Sequence, residues 1–157
     1  MRTVKNILII LLIGFVLMQF YRPDKNESDA IPETDIIVMT HPPEAVSAIL
    51  KTSCYDCHSN HTEYPWYNNV APVSYWLADH IDHGKGHLNF SEWGAYNAKR
   101  KAHKLEEVTE MVEKNEMPLD SYVWLHGEAK LSPEQAKTLT EWANTLRLTY
   151  LSEAKLP

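Results

Sequence analysis

The stretch KTSCYDCHSNHTEYPWYNN, residues 51–69, carries both cysteines of the chain, with two residues between them and a histidine directly after the second. Two thiols and an imidazole within five residues can converge only on something they share. This short run therefore constrains what the rest of the chain is built around. Three readings of Cys54-Tyr55-Asp56-Cys57-His58 compete: a local disulfide, half of a zinc site, and the C-x-x-C-H attachment sequence of a c-type haem.

A thioredoxin-like disulfide belongs in a βαβ setting, and no alternating strand pattern is present. Zinc needs two further ligands, which other histidines could supply. Haem attachment uses all three side chains at once. Each thiol adds to one vinyl group, and the spacing on a helical turn lets both sulfurs reach the same porphyrin edge. The imidazole of His58 then lies beneath the iron. The favoured reading is one covalent haem c with its iron, held by Cys54, Cys57 and His58.

The first 22 residues stand apart. They begin with Arg2 and Lys5, run from Ile7 to Met18 without a polar side chain, and end in Gln19, Phe20, Tyr21 and Arg22. A spanning helix needs roughly 20 apolar residues, so the run is nearer the core of a signal peptide. No small-residue cleavage site follows it, and Phe20 and Tyr21 suit a membrane interface. Residues 1–22 are read as an uncleaved signal-anchor at the periplasmic face of a bacterial inner membrane, with a cleaved leader and a free periplasmic body as the alternative. Either way the body is exported to an oxidising compartment, where a third cysteine could only mispair.

Charge separates the two parts. Removing Arg2, Lys5 and Arg22 from the 15 basic residues leaves 12 against 21 acidic ones. A body carrying about −9 lacks the Lys/Arg footprint that nucleic acid requires, and it suits a basic-surfaced or membrane-bound redox partner.

Residues 23–42 read as a linker, with Ile36–Met39 docking on the body. From 43 to 151 the text is helical. Ala45, Ile49 and Leu50 share a face before the motif, with Pro43 as a first-turn residue. Val73, Trp76, Leu77, His80 and Ile81 share another, with Gly84 as a stop. Asn89 and Glu92 are spaced as a capping box, and Leu105, Val108, Met111 and Val112 form the next apolar face. Ser132, Pro133 and Gln135 start a last helix with Leu139, Trp142, Ala143 and Leu146 on one stripe. The fold class is all-α, a cytochrome-c-like helical domain behind an N-terminal membrane-anchor helix.

Haem iron has a second axial position, and its occupant decides the chemistry. Met117, on the loop KNEMPLDSY between two helices, is the leading candidate, with a core role as its alternative. Met111 falls on an apolar stripe. His61 is too close to His58 to reach the opposite face, and His103 lies on a polar segment. His80 reads as a core histidine or a distal ligand, and His126 as a ligand or a donor to a propionate.

CYDCHSNHTEYPWYNNVAPVSYW, HGKGHLNFSEW and EMPLDSYVWLHGEAKLSPEQAKTLTEW, in that order, resemble the bacterial haem-binding domain family of small exported mono-haem proteins. The resemblance covers residues 43–147. It implies covalent attachment at Cys54 and Cys57, His58 as proximal ligand and Met117 as distal ligand. It also implies that the helix before Cys54 crosses the C-terminal helix. Tyr64, Trp66 and Tyr67, in the aromatic insert after the motif, are candidates to line the haem edge or pack in the core. The second nitrogen of the proximal imidazole is expected on a backbone carbonyl, with Pro72 or a neighbour as candidate. Electron transfer without catalysis is the expected function, and a gas or peroxide sensor or peroxidase with a displaceable sixth ligand is the alternative.

Overall fold

The computed structural model describes residues 1–28 and 30–155, and every regular element among them is helical, as expected. The helices are α1 (Arg2–Met18), α2 (Ile36–Thr40), α3 (Glu44–Ser53), α4 (Tyr55–His58), α5 (Val73–His87), α6 (Ala98–Glu113), α7 (Asp120–Val123) and α8 (Pro133–Glu153). Short 3₁₀ segments cover Trp66–Asn69, Phe90–Ala95 and Gly127–Ala129.

The longest helix starts where its sequence signal lies. The Ser132 hydroxyl accepts from the Gln135 amide at 3.2 Å, and the Gln135 side chain accepts from the Ser132 amide at 2.8 Å. Two orphan donors are satisfied reciprocally, and Pro133 fills a first-turn site that needs no N–H. Leu139 and Ala143 of this helix are fully buried, and Trp142 and Leu146 pack beside them. Helix α6 lies antiparallel against α8: Lys101 sits 5.1 Å over the Tyr150 ring, and Glu106 pairs with Arg147. Helix α3 also packs on α8, with Val46, Ile49 and Leu50 buried.

The 3₁₀ turn at Phe90–Ala95 plugs the end of this core. Trp93 is wholly buried, and its indole N–H donates to the Tyr150 hydroxyl at 3.1 Å. Buried indoles need such a partner for their one polar atom. Ile36 is likewise fully buried. Asp35 beside it is buried too, accepting from the Tyr55 hydroxyl at 2.7 Å and from the Ile37 amide at 2.8 Å. The segment after Arg22 thus runs into the core at α2.

Several expectations are corrected. Ala45 is exposed, and Pro43 precedes the first turn of α3 as its cap. Asn89 accepts from the Ser91 amide and starts only the 3₁₀ turn; α6 begins at Ala98, with Asn97 accepting from the Arg100 amide. The chain is extended at Tyr96 and Asn97, so the periodic pattern across this region belongs to two elements. Gly84 does not stop α5, which continues to His87. Val73 and Trp76 are exposed, and His80 is no core residue: its Nδ1 lies 2.9 Å from the Trp76 carbonyl of its own helix.

Residues of α1 are exposed around the whole circumference, and no helix among the described residues is long and apolar enough to cross a membrane. The end of α1 nonetheless meets the body. The Gln19 amide group pairs with both backbone groups of Ala71, at 3.0 and 3.1 Å, and the Tyr75 hydroxyl donates to the Met18 carbonyl.

Candidate haem-attachment site

The motif is one closed turn of backbone. The amides of Cys57 and His58 both bond to the Cys54 carbonyl, at 3.3 and 3.0 Å. This short helix α4 follows a break at Cys54, where the backbone leaves the α region at φ −128°. The break turns α4 away from the axis of α3 and against α5.

Contact with α5 is close because of Gly84. A Cβ there would lie 2.5 Å from the Cys57 carbonyl oxygen, well inside van der Waals contact. Glycine permits this backbone approach. One turn further on, the Leu88 carbonyl lies 3.0 Å from Nδ1 of His58. A carbonyl can only accept, so Nδ1 carries the proton and Nε2 keeps its lone pair, the form a metal requires. The expectation of a backbone carbonyl on this imidazole holds in kind, but the group is Leu88 rather than Pro72. Pro72, within the aromatic insert, instead stands at the N-cap position of α5. Phe90 packs near the His58 ring at 6.2 Å in an edge orientation. Burial depresses the imidazole's proton affinity, which also favours the neutral, ligating form.

Cys54 and Cys57 are both free and half-buried. Burial, reinforced by the neighbouring Cys57, pushes the Cys54 thiol up to about 12. Burial and the Asp56 charge push Cys57 up to about 11. The unfolded chain releases these protons near the ordinary thiol value of 9.0, while the folded chain holds them. Stability of the haem-free protein is therefore full below that value and falls as pH rises toward 11. Because alkylation requires the thiolate, iodoacetamide should label haem-free folded protein slowly at about pH 8, and urea should accelerate labelling by well over tenfold. Equal rates with and without urea would contradict the burial described.

The two middle residues of the motif face different partners. Tyr55 is buried on Asp35 and stacks on Phe90, with ring centroids 5.6 Å apart. The Asp56 carboxylate accepts from the Tyr122 hydroxyl at 2.7 Å and from the Glu63 amide at 3.0 Å. Beside it the Tyr67 hydroxyl lies 2.7 Å from Nε2 of His126, whose Nδ1 is 3.3 Å from Glu128. Tyr122 stacks on the His126 ring at 4.5 Å. A cleft of about 660 Å³ opens here, with Tyr55, Asp56, Tyr64, Tyr122 and His126 in its walls.

The remaining candidates separate by position. Tyr64 faces the segment after α1, accepting from the Asn26 amide at 2.7 Å, with Lys25 over its ring. Trp66 is 79% exposed, which removes it from the core reading. Tyr67 and His126 come together as described. Met117 is half-buried on the loop between α6 and α7, where its amide and that of Glu116 both bond to the Met111 carbonyl, at 3.2 and 2.9 Å. Sequence reasoning missed Gly84, Leu88, Asp56 and Tyr122. Asp56 lay inside the motif itself, but a motif defined by its cysteines and histidine treats that position as free.

The donor set suits haem. Two free thiols and a pinned imidazole with an open Nε2 occupy one turn of chain, and no group of three or more His, Cys, Asp or Glu able to hold a bare metal ion occurs among the described residues. A helical scaffold presenting this set defines a haem-binding protein. The sequence matches the family described as Haem-binding domain over residues 13–145, and the chain belongs to that family. No curated protein and no solved structure matches it.

Proposed function

We propose that the chain carries one haem c, joined to Cys54 and Cys57 with His58 on the iron, and serves in electron transfer outside the cytoplasmic membrane. The observation that carries this is the Leu88 carbonyl on Nδ1 of His58, which fixes the tautomer and ring orientation beside two free thiols. Bound haem would supply one-electron chemistry through its iron. The protein's part is to hold the imidazole neutral and oriented and to present both thiols on one turn of chain. Met117 is proposed as the sixth ligand, since it stands on a loop fixed at the end of α6.

Location belongs to the same proposal. Residues 1–22 direct export, and the apolar run Ile7–Met18 of α1 is held at the body by Gln19 and Tyr75. That joint supports a body kept close to a membrane surface. The acidic surface would steer the protein toward a basic docking site on a redox partner.

Mass spectrometry of protein made with haem-maturation machinery should show one porphyrin mass on the peptide holding both cysteines. Absence of added mass would overturn the attachment. The ferric form should show the weak far-red charge-transfer band of thioether ligation, and Met117→Ala should abolish it. A band unchanged by Met117→Ala rules out that ligand. Rapid carbon monoxide binding by untreated ferrous protein would favour a displaceable sixth site, and with it a sensor or peroxidase.

A further inference from the structure

Tyr122 and Asp56 join two segments that lie 66 positions apart in sequence. Asp56 is anchored to the segment that follows its own helix, where its carbonyl accepts from the Thr62 hydroxyl at 2.6 Å and its carboxylate from the Glu63 amide at 3.0 Å. The second carboxylate oxygen takes the Tyr122 hydroxyl at 2.7 Å. Tyr122 is also fixed on its own side: its amide bonds to the Leu119 carbonyl at 2.9 Å, and its ring stacks on His126. Upstream, the amides of Glu116 and Met117 converge on Met111. The Met117–Leu119 stretch is therefore strung between two fixed points, the end of α6 and the Asp56–Tyr122 bond.

We propose that Tyr122 is a positioning residue. Its hydrogen bond to Asp56 holds the Met117 loop in register with the attachment turn and so sets how firmly the sixth ligand is kept. The proposal rests on the assignment of Met117. A hydrogen bond to a charged group is among the stronger kinds, and losing it leaves a half-buried carboxylate oxygen short of a donor. Burial and the Asp56 carboxylate both push the Tyr122 phenol upward, so it remains a donor throughout the neutral range. The short helix α7 spans only Asp120–Val123 and has little intrinsic stability to hold the loop without this tie. Asp56 is thus a working residue inside the motif, with a role separate from that of Tyr55.

The test is displacement of the native sixth ligand by imidazole in ferric holoprotein, followed through the far-red band. Tyr122→Phe should keep its covalent haem and its thermal midpoint within a few degrees. Imidazole should displace the native ligand at about tenfold lower concentration, the factor such a bond commands. Asp56→Asn, which keeps an acceptor of the same shape, should lie between the two, and the double variant should be no weaker than Tyr122→Phe alone. If Tyr122→Phe does not fold, Asp56→Asn carries the test. Both variants titrating like the parent while the band persists would overturn the proposal and leave the Met117 assignment standing. A parent protein with no such band, whose imidazole titration Met117→Ala leaves unchanged, would overturn both.

Discussion

Gly84→Ala should drive α5 off α4. The added Cβ would meet the Cys57 carbonyl oxygen at 2.5 Å and the Cys57 Cβ at 3.2 Å. The first of these atoms is backbone, in the closed turn that carries the cysteines, and it cannot swing aside as a long side chain would. The Leu88 amide bonds to the Gly84 carbonyl at 2.9 Å, and the Leu88 carbonyl holds His58. One methyl group therefore disturbs helix packing, the last turn of α5 and the orientation of the imidazole together. Overpacking of this kind costs about 1–3 kcal/mol, and more where the backbone resists. Gly86, two positions on, has nothing within 4 Å of its notional Cβ. Gly86→Ala should be neutral or stabilise slightly, since alanine is favoured over glycine in a helix by about 0.5–1 kcal/mol. Paired urea or thermal denaturation separates the two. Equal stability of the variants would show that the helices are not in contact at Gly84. Holoprotein of Gly84→Ala should in addition show altered axial ligation in its visible spectrum, which Gly86→Ala should not.

Trp93→Ala should cause a comparable or larger loss of stability. Trp93 is completely buried, edges against Tyr96 and Tyr150 at 5.7 and 6.0 Å, and gives its indole proton to Tyr150. Truncation removes a large apolar surface, leaves a cavity and strips the Tyr150 hydroxyl of its donor. Such changes cost about 3–5 kcal/mol, a large share of the roughly 5–15 kcal/mol that holds a domain of this kind together. Trp93→Phe should recover part of the loss, because it refills much of the volume but restores no hydrogen bond. A urea midpoint for Trp93→Ala within error of the parent would contradict the core as described. The two substitutions probe different layers: Trp93 is part of the plug that closes the α3–α6–α8 core, and Gly84 lies where α5 meets α4.

The parts of the fold that could be read from sequence share a physical cause. Ser132, Pro133 and Gln135 act within one turn of backbone, so their pattern specifies a helix start whatever packs around it. The stripe of Leu139 and Ala143 likewise reports its buried face through spacing alone. Asn89 misled because an asparagine caps a 3₁₀ turn as readily as a longer helix, and the length of the capped element depends on the burial of Phe90 and Trp93. Gly84 misled because glycine marks a helix stop and a close backbone approach equally well; a partner 27 residues away in sequence decides between them. The aromatic insert had no period to interpret, and the structure disperses it: Tyr64 toward Asn26, Trp66 toward solvent, Tyr67 toward His126.

On its own, the sequence determined the all-helical class, the acidic body, the apolar run Ile7–Met18 and the C-x-x-C-H motif as the candidate site. Each of these is set by composition or by neighbours within a few positions. Only the tertiary structure decided that the Leu88 carbonyl orients His58, that Gly84 admits α5 against Cys57, and that Asp56 ties α4 to Tyr122. Those contacts join residues that are 30, 27 and 66 positions apart. Folding brings them together through burial of apolar surface elsewhere in the chain, and no local pattern encodes which carbonyl or carboxylate will be there when it does.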